Sequence, residues 1–204
     1  LTLWLLIRLR GPYRPVESAD HLPGVTLIIS AFNEAAVLDA KLNNARALDY
    51  PTDKLQIVVI SDASDDGTDD IVLKHAAQDP RVVLHRQEER RGKTAGLNHG
   101  IEKATGEVVV FSDANAMYEA AAIRELVAPL ADPKVGYVVG AAHYSDGDAG
   151  QAQHSEGLYW RYELAIKEME SAFGSVVGGD GAIYAIRRGL FWPLREDDIN
   201  YFVN

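Results

Sequence analysis

Val108-Val109-Val110-Phe111-Ser112-Asp113-Ala114-Asn115 reads as a buried strand, a short continuous apolar run, that ends in a carboxylate. In an open α/β sheet, ligands sit beyond the carboxyl ends of the strands, so Asp113 is placed at a ligand crevice. Two other runs end in the same way. Ile57-Val58-Val59-Ile60 leads into Ser61-Asp62-Ala63-Ser64-Asp65-Asp66-Gly67-Thr68, and Val25-Thr26-Leu27-Ile28-Ile29 leads into Ser30-Ala31-Phe32-Asn33-Glu34. Acidic residues at three strand ends imply one shared crevice.

β-like runs alternate with helical ones from Val25 onward. Strand 25–30 is expected to lead into a helix from near Glu34 to about Leu48, ended by Tyr50-Pro51, since the residue before a proline is pushed out of the α region. Strand 56–61 leads to a helix over about 68–78. Thr68 is its expected cap, and Asp69 and Asp70 in the first turn suit the helix dipole. Val82-Val83-Leu84 reads as a short strand, 93–104 as a helix, 107–112 as a strand, 119–131 as a helix and Val135 to Ala142 as a strand. Two helices' worth of sequence lies between Gln151 and Ala172. The βαβ alternation predicts an α/β fold with a mostly parallel sheet and helices on both faces.

The composition bounds the function. A chain of 204 residues, 47% hydrophobic and 25% charged, has room for one sizeable core. A formal charge of -10 argues against a nucleic-acid partner held through its phosphates, which needs a basic face. It leaves open a nucleotide bound through a divalent cation. There are no cysteines, so disulfides and thiolate metal sites are excluded, and the six histidines show no HExxH or paired ligand spacing.

The N-terminus departs from this pattern. Leu1-Thr2-Leu3-Trp4-Leu5-Leu6-Ile7 is almost wholly apolar and is followed by Arg8, Arg10 and Arg14. The run is shorter than the roughly 20 residues that span a bilayer, and reads as the last turns of a transmembrane helix with arginines at its cytoplasmic exit. The other reading is an apolar helix packed on the domain. A signal peptide fits less well, because its charges precede the apolar run. Residues 1–24 are thus expected to be the end of a transmembrane helix and a linker, and 25–204 a domain at the cell membrane that faces the cytoplasm.

Three familiar motifs fail on single residues. The Asp62 loop begins like a calcium loop, but its twelfth position is Leu73 where a bidentate Glu is required. Gly92-Lys93-Thr94 ends like a phosphate loop, but the first glycine of that motif is Gln87. The nucleophile loop of haloacid-dehalogenase-like phosphatases needs a second Asp where this chain has Ser64. What remains is the joint pattern. A diphosphate needs cations and donors, and a hard divalent metal takes a carboxylate together with phosphate oxygens and water. Asp113 supplies a carboxylate, and Arg90, Arg91 and Lys93 supply positive charge. Taken singly, each acidic residue also fits a helix cap and the basic triplet fits a solvated loop.

On these residues, together with Gly92-Lys93-Thr94-Ala95-Gly96-Leu97-Asn98, Thr105-Gly106-Glu107 and Asp113-Ala114-Asn115, the chain resembles the cytoplasmic catalytic domain of a family 2 glycosyltransferase over about residues 25–200. The resemblance implies the GT-A nucleotide-sugar (Rossmann-like) fold. It implies an inverting glycosyltransferase, of the polysaccharide synthase type, that moves a sugar from a nucleoside-diphosphate donor, a UDP-sugar, to a hydroxyl of a glycan or lipid-linked acceptor. Ala31, Asn33, Glu34, Asp62, Ser64, Lys93, Asn98, Asp113 and Ala114 are the implied nucleotide-sugar residues, with Asp62 at the position that reads the uracil ring. Asp113 and Asn115 are the implied holders of a divalent metal, Mg2+ or Mn2+. Gly179, Asp180 and Gly181 lie in the implied acceptor segment.

Two departures follow. The family's metal motif is usually Asp-x-Asp, and Asn115 stands at its third position with an amide oxygen but no charge. The base, in the family a carboxylate after the acceptor segment, is Asp197 if Glu196-Asp197 is the pattern, with Asp198 behind it; if the base stands just before Phe202, Tyr201 replaces it. The alternative function is therefore a catalytically impaired nucleotide-sugar binding domain. A nucleotidyltransferase is a further rival, lacking here its Gly-rich N-terminal signature. Tyr159, Trp160 and Tyr162 are candidates for sugar stacking or for plain packing. Processive relatives continue to a Gln-x-x-Arg-Trp segment, so a C-terminal truncation is expected.

Overall fold

The computed structural model describes residues 12–140, 153–176 and 183–195. The chain divides into two units, Val16–Gly140 with Asp180–Asn204, and Leu1–Pro15 with Ala141–Gly179. The larger unit holds the sheet. Its strands are β1 (Val25–Ala31), β2 (Leu55–Ser61), β3 (Val82–Arg86), β4 (Val108–Asp113), β5 (Tyr137–Val139) and β6 (Ile183–Arg187). Its helices are α1 (Ala35–Arg46), α2 (Thr68–Ala76), α3 (Gly92–Lys103) and α4 (Ala122–Val127). In the smaller unit a single helix, α5 (Gln153–Phe173), takes the place of the two expected there, and Tyr162 on it is exposed.

The strand order is β3-β2-β1-β4-β6-β5. β1 pairs in parallel with β2 and β4, and β2 with β3. β6 runs antiparallel to both β4 and β5, so it alone reverses direction among the described strands. The continuous apolar strands serve two cores by alternation. Leu27, Ile29, Ile57, Val59, Val108 and Val110 face one core, shared with Leu38 and Leu42 of α1, Val72 of α2 and Ile123 and Val127 of α4. Ile28, Val58, Ile60, Val109 and Phe111 face the other, shared with Leu97 of α3. A period-two pattern with both phases apolar is what a sheet covered on both faces requires. Each such side chain, taken wholly out of water, contributes about 1.5–3 kcal/mol.

Register fixes where the site lies. Ser30 stands opposite Asp113, and Ala31 opposite Ser61, so Asp62 and Asp113 leave the sheet at the same edge as the turn after β1. At the opposite end of β4, Thr105 and Gly106 donate their amides to Thr26 Oγ1 at 3.2 and 2.9 Å. A Cβ on Gly106 would lie 2.6 Å from the Thr26 nitrogen, so only glycine admits the chain this close to β1. The Thr-Gly pair thus sets the start of β4, and with it the position of Asp113.

The structure departs from the expected elements at identifiable residues. α1 ends at Arg46, two residues early, and residues 47–50 form a turn in which the Asp49 amide donates to Ala120 O. The helix expected over 119–131 is α helical only from Ala122 to Val127. Pro129, which cannot donate in the interior of a helix, then turns the chain into a 3-10 stretch. The strand expected from Val135 is described only over Tyr137–Val139. β6 begins just after Gly179, Asp180 and Gly181 of the implied acceptor segment, and its insertion between β4 and β5 comes from far along the chain.

Thr68 is a correction of a different kind. Gly67, at φ 93°, occupies the cap position of α2. The Thr68 hydroxyl instead accepts from the Glu34 amide at 2.9 Å, at the start of α1, and Asp66 accepts from Ala35 N at 3.0 Å and Thr68 N at 3.0 Å. The turn after β2 therefore caps both helices, α1 through Thr68 and Asp66 and α2 through Asp66. Thr68→Val, which keeps the shape of this buried side chain and removes its oxygen, is expected to cost about 1–2 kcal/mol. A lowered Tm in a thermal melt checks this, and an unchanged Tm would show that the cross-cap contributes nothing.

Candidate active site

The strand-end residues converge on one crevice of about 430 Å³, lined by Ser30, Ala31, Phe32, Glu34, Ile60, Asp62, Arg90, Gly92, Lys93, Gly96, Asp113, Ala114 and Asn115. Of the residues expected at the donor and metal, Ala31, Glu34, Asp62, Lys93, Asp113, Ala114 and Asn115 are brought together here. Asn33, Ser64 and Asn98 do not line it.

Asn33 and Ser64 hold the crevice's wall instead. Asn33 sits at φ 54° and its amide nitrogen donates to Ser64 Oγ at 3.1 Å. Its side chain donates to Asp65 Oδ1 at 2.9 Å and accepts from Asp65 N at 3.0 Å. These bonds satisfy polar groups of two tight turns. Asn98, on α3, spends its side-chain amide on the backbone of Leu194, donating to the carbonyl at 2.8 Å and accepting from the nitrogen at 2.8 Å. Asp197, Asp198, Glu196, Tyr201, Gly179, Asp180 and Gly181 lie outside the described residues, as do the side chains of Tyr159 and Trp160.

Asp62 is nearly buried and accepts from three donors: Gln87 Nε2 at 2.9 Å, the Arg91 amide at 2.7 Å and the Gly92 amide at 2.9 Å. A carboxylate in this setting gains most from donors that are already fixed, and the backbone of the basic loop supplies two of them. Gly92 adopts φ 85°, a conformation favouring glycine, as it turns its N–H toward Oδ2 and begins α3. Gln87, the residue whose identity breaks the phosphate-loop motif, is the third donor. Nothing in the local sequence pairs Gln87 with Asp62; the contact exists because β3 lies beside β2.

The positive side of the crevice comes from Lys93 and Arg90. Lys93 Nζ lies 2.5 Å from Asp113 Oδ1. The Arg90 guanidinium stacks 3.9 Å from the Phe32 ring centroid, which fixes a long side chain at the rim. Ser30 Oγ, on the floor, is buried with no hydrogen-bond partner among the described residues. A buried unpaired hydroxyl at a crevice floor offers a ligand one polar contact.

Among the described residues no cluster of three or more His, Asp or Glu could hold a metal by itself. Asp113 and Asn115 offer a carboxylate and an amide oxygen on one turn at the crevice. That donor set fits a hard ion such as Mg2+ or Mn2+ only if the remaining positions are filled by diphosphate oxygens and water, which is how such ions are held beside nucleotides.

Behind this turn lies Lys41 of α1, wholly buried. Burial pulls its ammonium down to about 7, and the Asp113 carboxylate opposes that shift. Burial likewise pushes the Tyr118 phenol up.

A mostly parallel six-stranded sheet of this order, with a crevice at its carboxyl edge, is the architecture of a GT-A glycosyltransferase. The chain belongs to glycosyl transferase family 2, which its residues 26–195 match. It is 31% identical over 128 residues to poly-beta-1,6-N-acetyl-D-glucosamine synthase of Staphylococcus aureus (strain COL), covering 62% of this chain and 30% of that protein. It is 35% identical over 128 residues to the probable glycosyltransferase YdaM of Bacillus subtilis (strain 168), covering 61% and 30%. The chain thus spans about a third of the length of these curated relatives. Among solved structures, the mannosyltransferase PcManGT of Pyrobaculum calidifontis, in complex with GDP-Man and Mn2+, superposes with a TM-score of 0.78 at 32% identity, over 93% of this chain and 52% of that one.

Proposed function

We propose that this chain carries the donor site of an inverting glycosyltransferase that uses a UDP-sugar and delivers the sugar to a hydroxyl of a glycan or lipid-linked acceptor. The observation that carries the reading is the meeting of Asp113, Asn115, Lys93 and Arg90 at one crevice, where register puts the ends of β1 and β4 side by side. Lys93 and Arg90 would face the diphosphate, and Asp113 and Asn115 would hold a divalent ion, which would supply further positive charge to the leaving group.

In the transfer, the acceptor oxygen forms a bond to the anomeric carbon while the bond from that carbon to the diphosphate oxygen breaks, its electron pair leaving with the nucleoside diphosphate. The acceptor's proton passes to a carboxylate, for which Asp197 is the proposed base and Asp198 the second candidate. Fixed cations at the diphosphate stabilise charge that is larger in the transition state than in the bound donor. Lys93 and Arg90 are this chain's contribution to that term.

The glycan acceptor is supported by the polysaccharide synthase among the relatives. The GDP-Man and Mn2+ in PcManGT support a nucleotide sugar with a metal and make GDP the natural comparison for UDP. The apolar run at residues 1–7 with its trailing arginines supports attachment to the membrane with the site on the cytoplasmic side. No described helix is long and apolar enough to cross a membrane.

Calorimetric titration of UDP and GDP, with Mn2+ and with EDTA, tests the donor site directly. Binding that Mn2+ strengthens, with UDP favoured over GDP, is expected. Absence of binding of either nucleotide would remove the donor-site reading. Metal-dependent binding without nucleotide release from any sugar donor in the presence of glycan acceptors would favour the impaired binding domain.

A further inference from the structure

Lys41 is the buried charge that donor binding leaves unexplained. Its neighbours on α1, Leu38, Leu42 and Ala45, are wholly buried apolar residues, so methionine or leucine would suit the same face. Burying an ammonium without a carboxylate in contact is costly, and replacing such groups by apolar residues is often neutral or stabilising. What Lys41 touches is the turn that carries the metal-side residues. Its Nζ donates to Ala116 O at 2.5 Å and lies 3.6 Å from the Tyr118 ring centroid.

One helical turn on, Asn44 grips the same segment. Its Nδ2 donates to Tyr118 O at 2.8 Å, and its Oδ1 accepts from Tyr118 N at 2.9 Å. The Tyr118 hydroxyl then donates to Ser112 Oγ, the residue before Asp113. The turn from Asp113 to Tyr118 is therefore tied to α1 at two backbone sites and back to β4 at a third, while Asn115 itself is exposed.

We propose that Lys41 and Asn44 form a clamp that positions Asp113 and Asn115 for the divalent ion and the diphosphate, Lys41 acting as a positioning residue. The proposal rests on the donor-site reading above. A turn with only a carboxylate and an amide to offer gains affinity for a metal and diphosphate chiefly by being held in place beforehand, and outer groups of this kind tune metal affinity by about 10–100-fold.

The experiment is calorimetric titration of UDP into the whole chain, with Mn2+ and with EDTA, for the parent, Lys41→Met and Asn44→Ala, alongside thermal melts. Lys41→Met is expected to melt close to the parent and to keep the parent's affinity for UDP in EDTA, while losing about 10–100-fold of the affinity gained from Mn2+. Asn44→Ala, at a partly exposed position, is expected to lose in the same direction and guards against a folding failure in the first variant. A parent that responds to Mn2+ with both variants responding equally would overturn the clamp and leave the donor site standing. Equal losses with and without Mn2+ would also overturn it, showing a general structural role. A parent that binds no UDP or GDP under either condition would overturn the donor-site reading and the clamp together.

Discussion

Asp113→Ala is expected to abolish the Mn2+-dependent part of nucleotide binding, a loss of more than about 100-fold, with transfer lost in parallel. The size follows from the poverty of the donor set. With no cluster of three acidic or histidine ligands among the described residues, Asp113 is the charged protein ligand available at this turn, and Asn115 alone offers a neutral oxygen. The change should nonetheless leave the fold intact. Asp113 and Lys93 are each about a third exposed, and ion pairs so placed contribute little to stability. Val108, Val109, Val110 and Phe111, which hold β4 in the sheet, are untouched. A melt matching the parent, beside a nucleotide titration that no longer responds to Mn2+, is the expected pair of results. A response to Mn2+ that survives in Asp113→Ala would place the metal elsewhere.

How far the sequence led depended on whether an interaction was local. The strands were legible because both phases of their alternation are apolar, a pattern fixed by the residues themselves and by a sheet covered on two faces. The crevice was legible because parallel strands end together, so acidic residues at three strand ends must share an edge. The motif Thr105-Gly106 was visible as a resemblance, but its reason, a glycine pressed against the Thr26 backbone, required the neighbour strand. The same holds for Asn98. It stands inside a recognisable motif, yet its amide is committed to Leu194, 96 residues away. Lys41 gave no signal at all, because a lysine on an amphipathic helix reads as solvated until its burial is seen. β6 was lost for a related reason: five residues inserted antiparallel between strands that precede it carry no local mark of their partners.

Asp62→Asn separates two roles for this carboxylate that its place in the sequence leaves equally open. If its carboxylate reads the nucleoside base, the substitution should change the preference between UDP and GDP. The geometry gives it another task. Both oxygens already accept hydrogen bonds, Oδ1 from Gln87 and Arg91 and Oδ2 from Gly92, so the side chain is the fixed point on which the basic loop turns. An asparagine amide nitrogen facing any of these donors sets N–H against N–H, and the loop must give up at least one bond near the buried floor. Losing charge-assisted bonds of this kind costs about 2–4 kcal/mol, part of it in stability and part in the placement of Arg90 and Lys93. The expected result is a lowered Tm together with a loss of roughly 10-fold or more in affinity for UDP and GDP alike, in EDTA as well as in Mn2+. Asp62→Ala should be worse, because all three donors then lack their acceptor. A variant that keeps its Tm and its overall affinity but exchanges its preference between the two nucleotides would sink the loop-clamp account and return Asp62 to base recognition. Three of the carboxylate's roughly four acceptor sites are already taken, two of them by the basic loop, and this argues for the first outcome, since a group that must hold Arg91 and Gly92 in place is not free to follow a base.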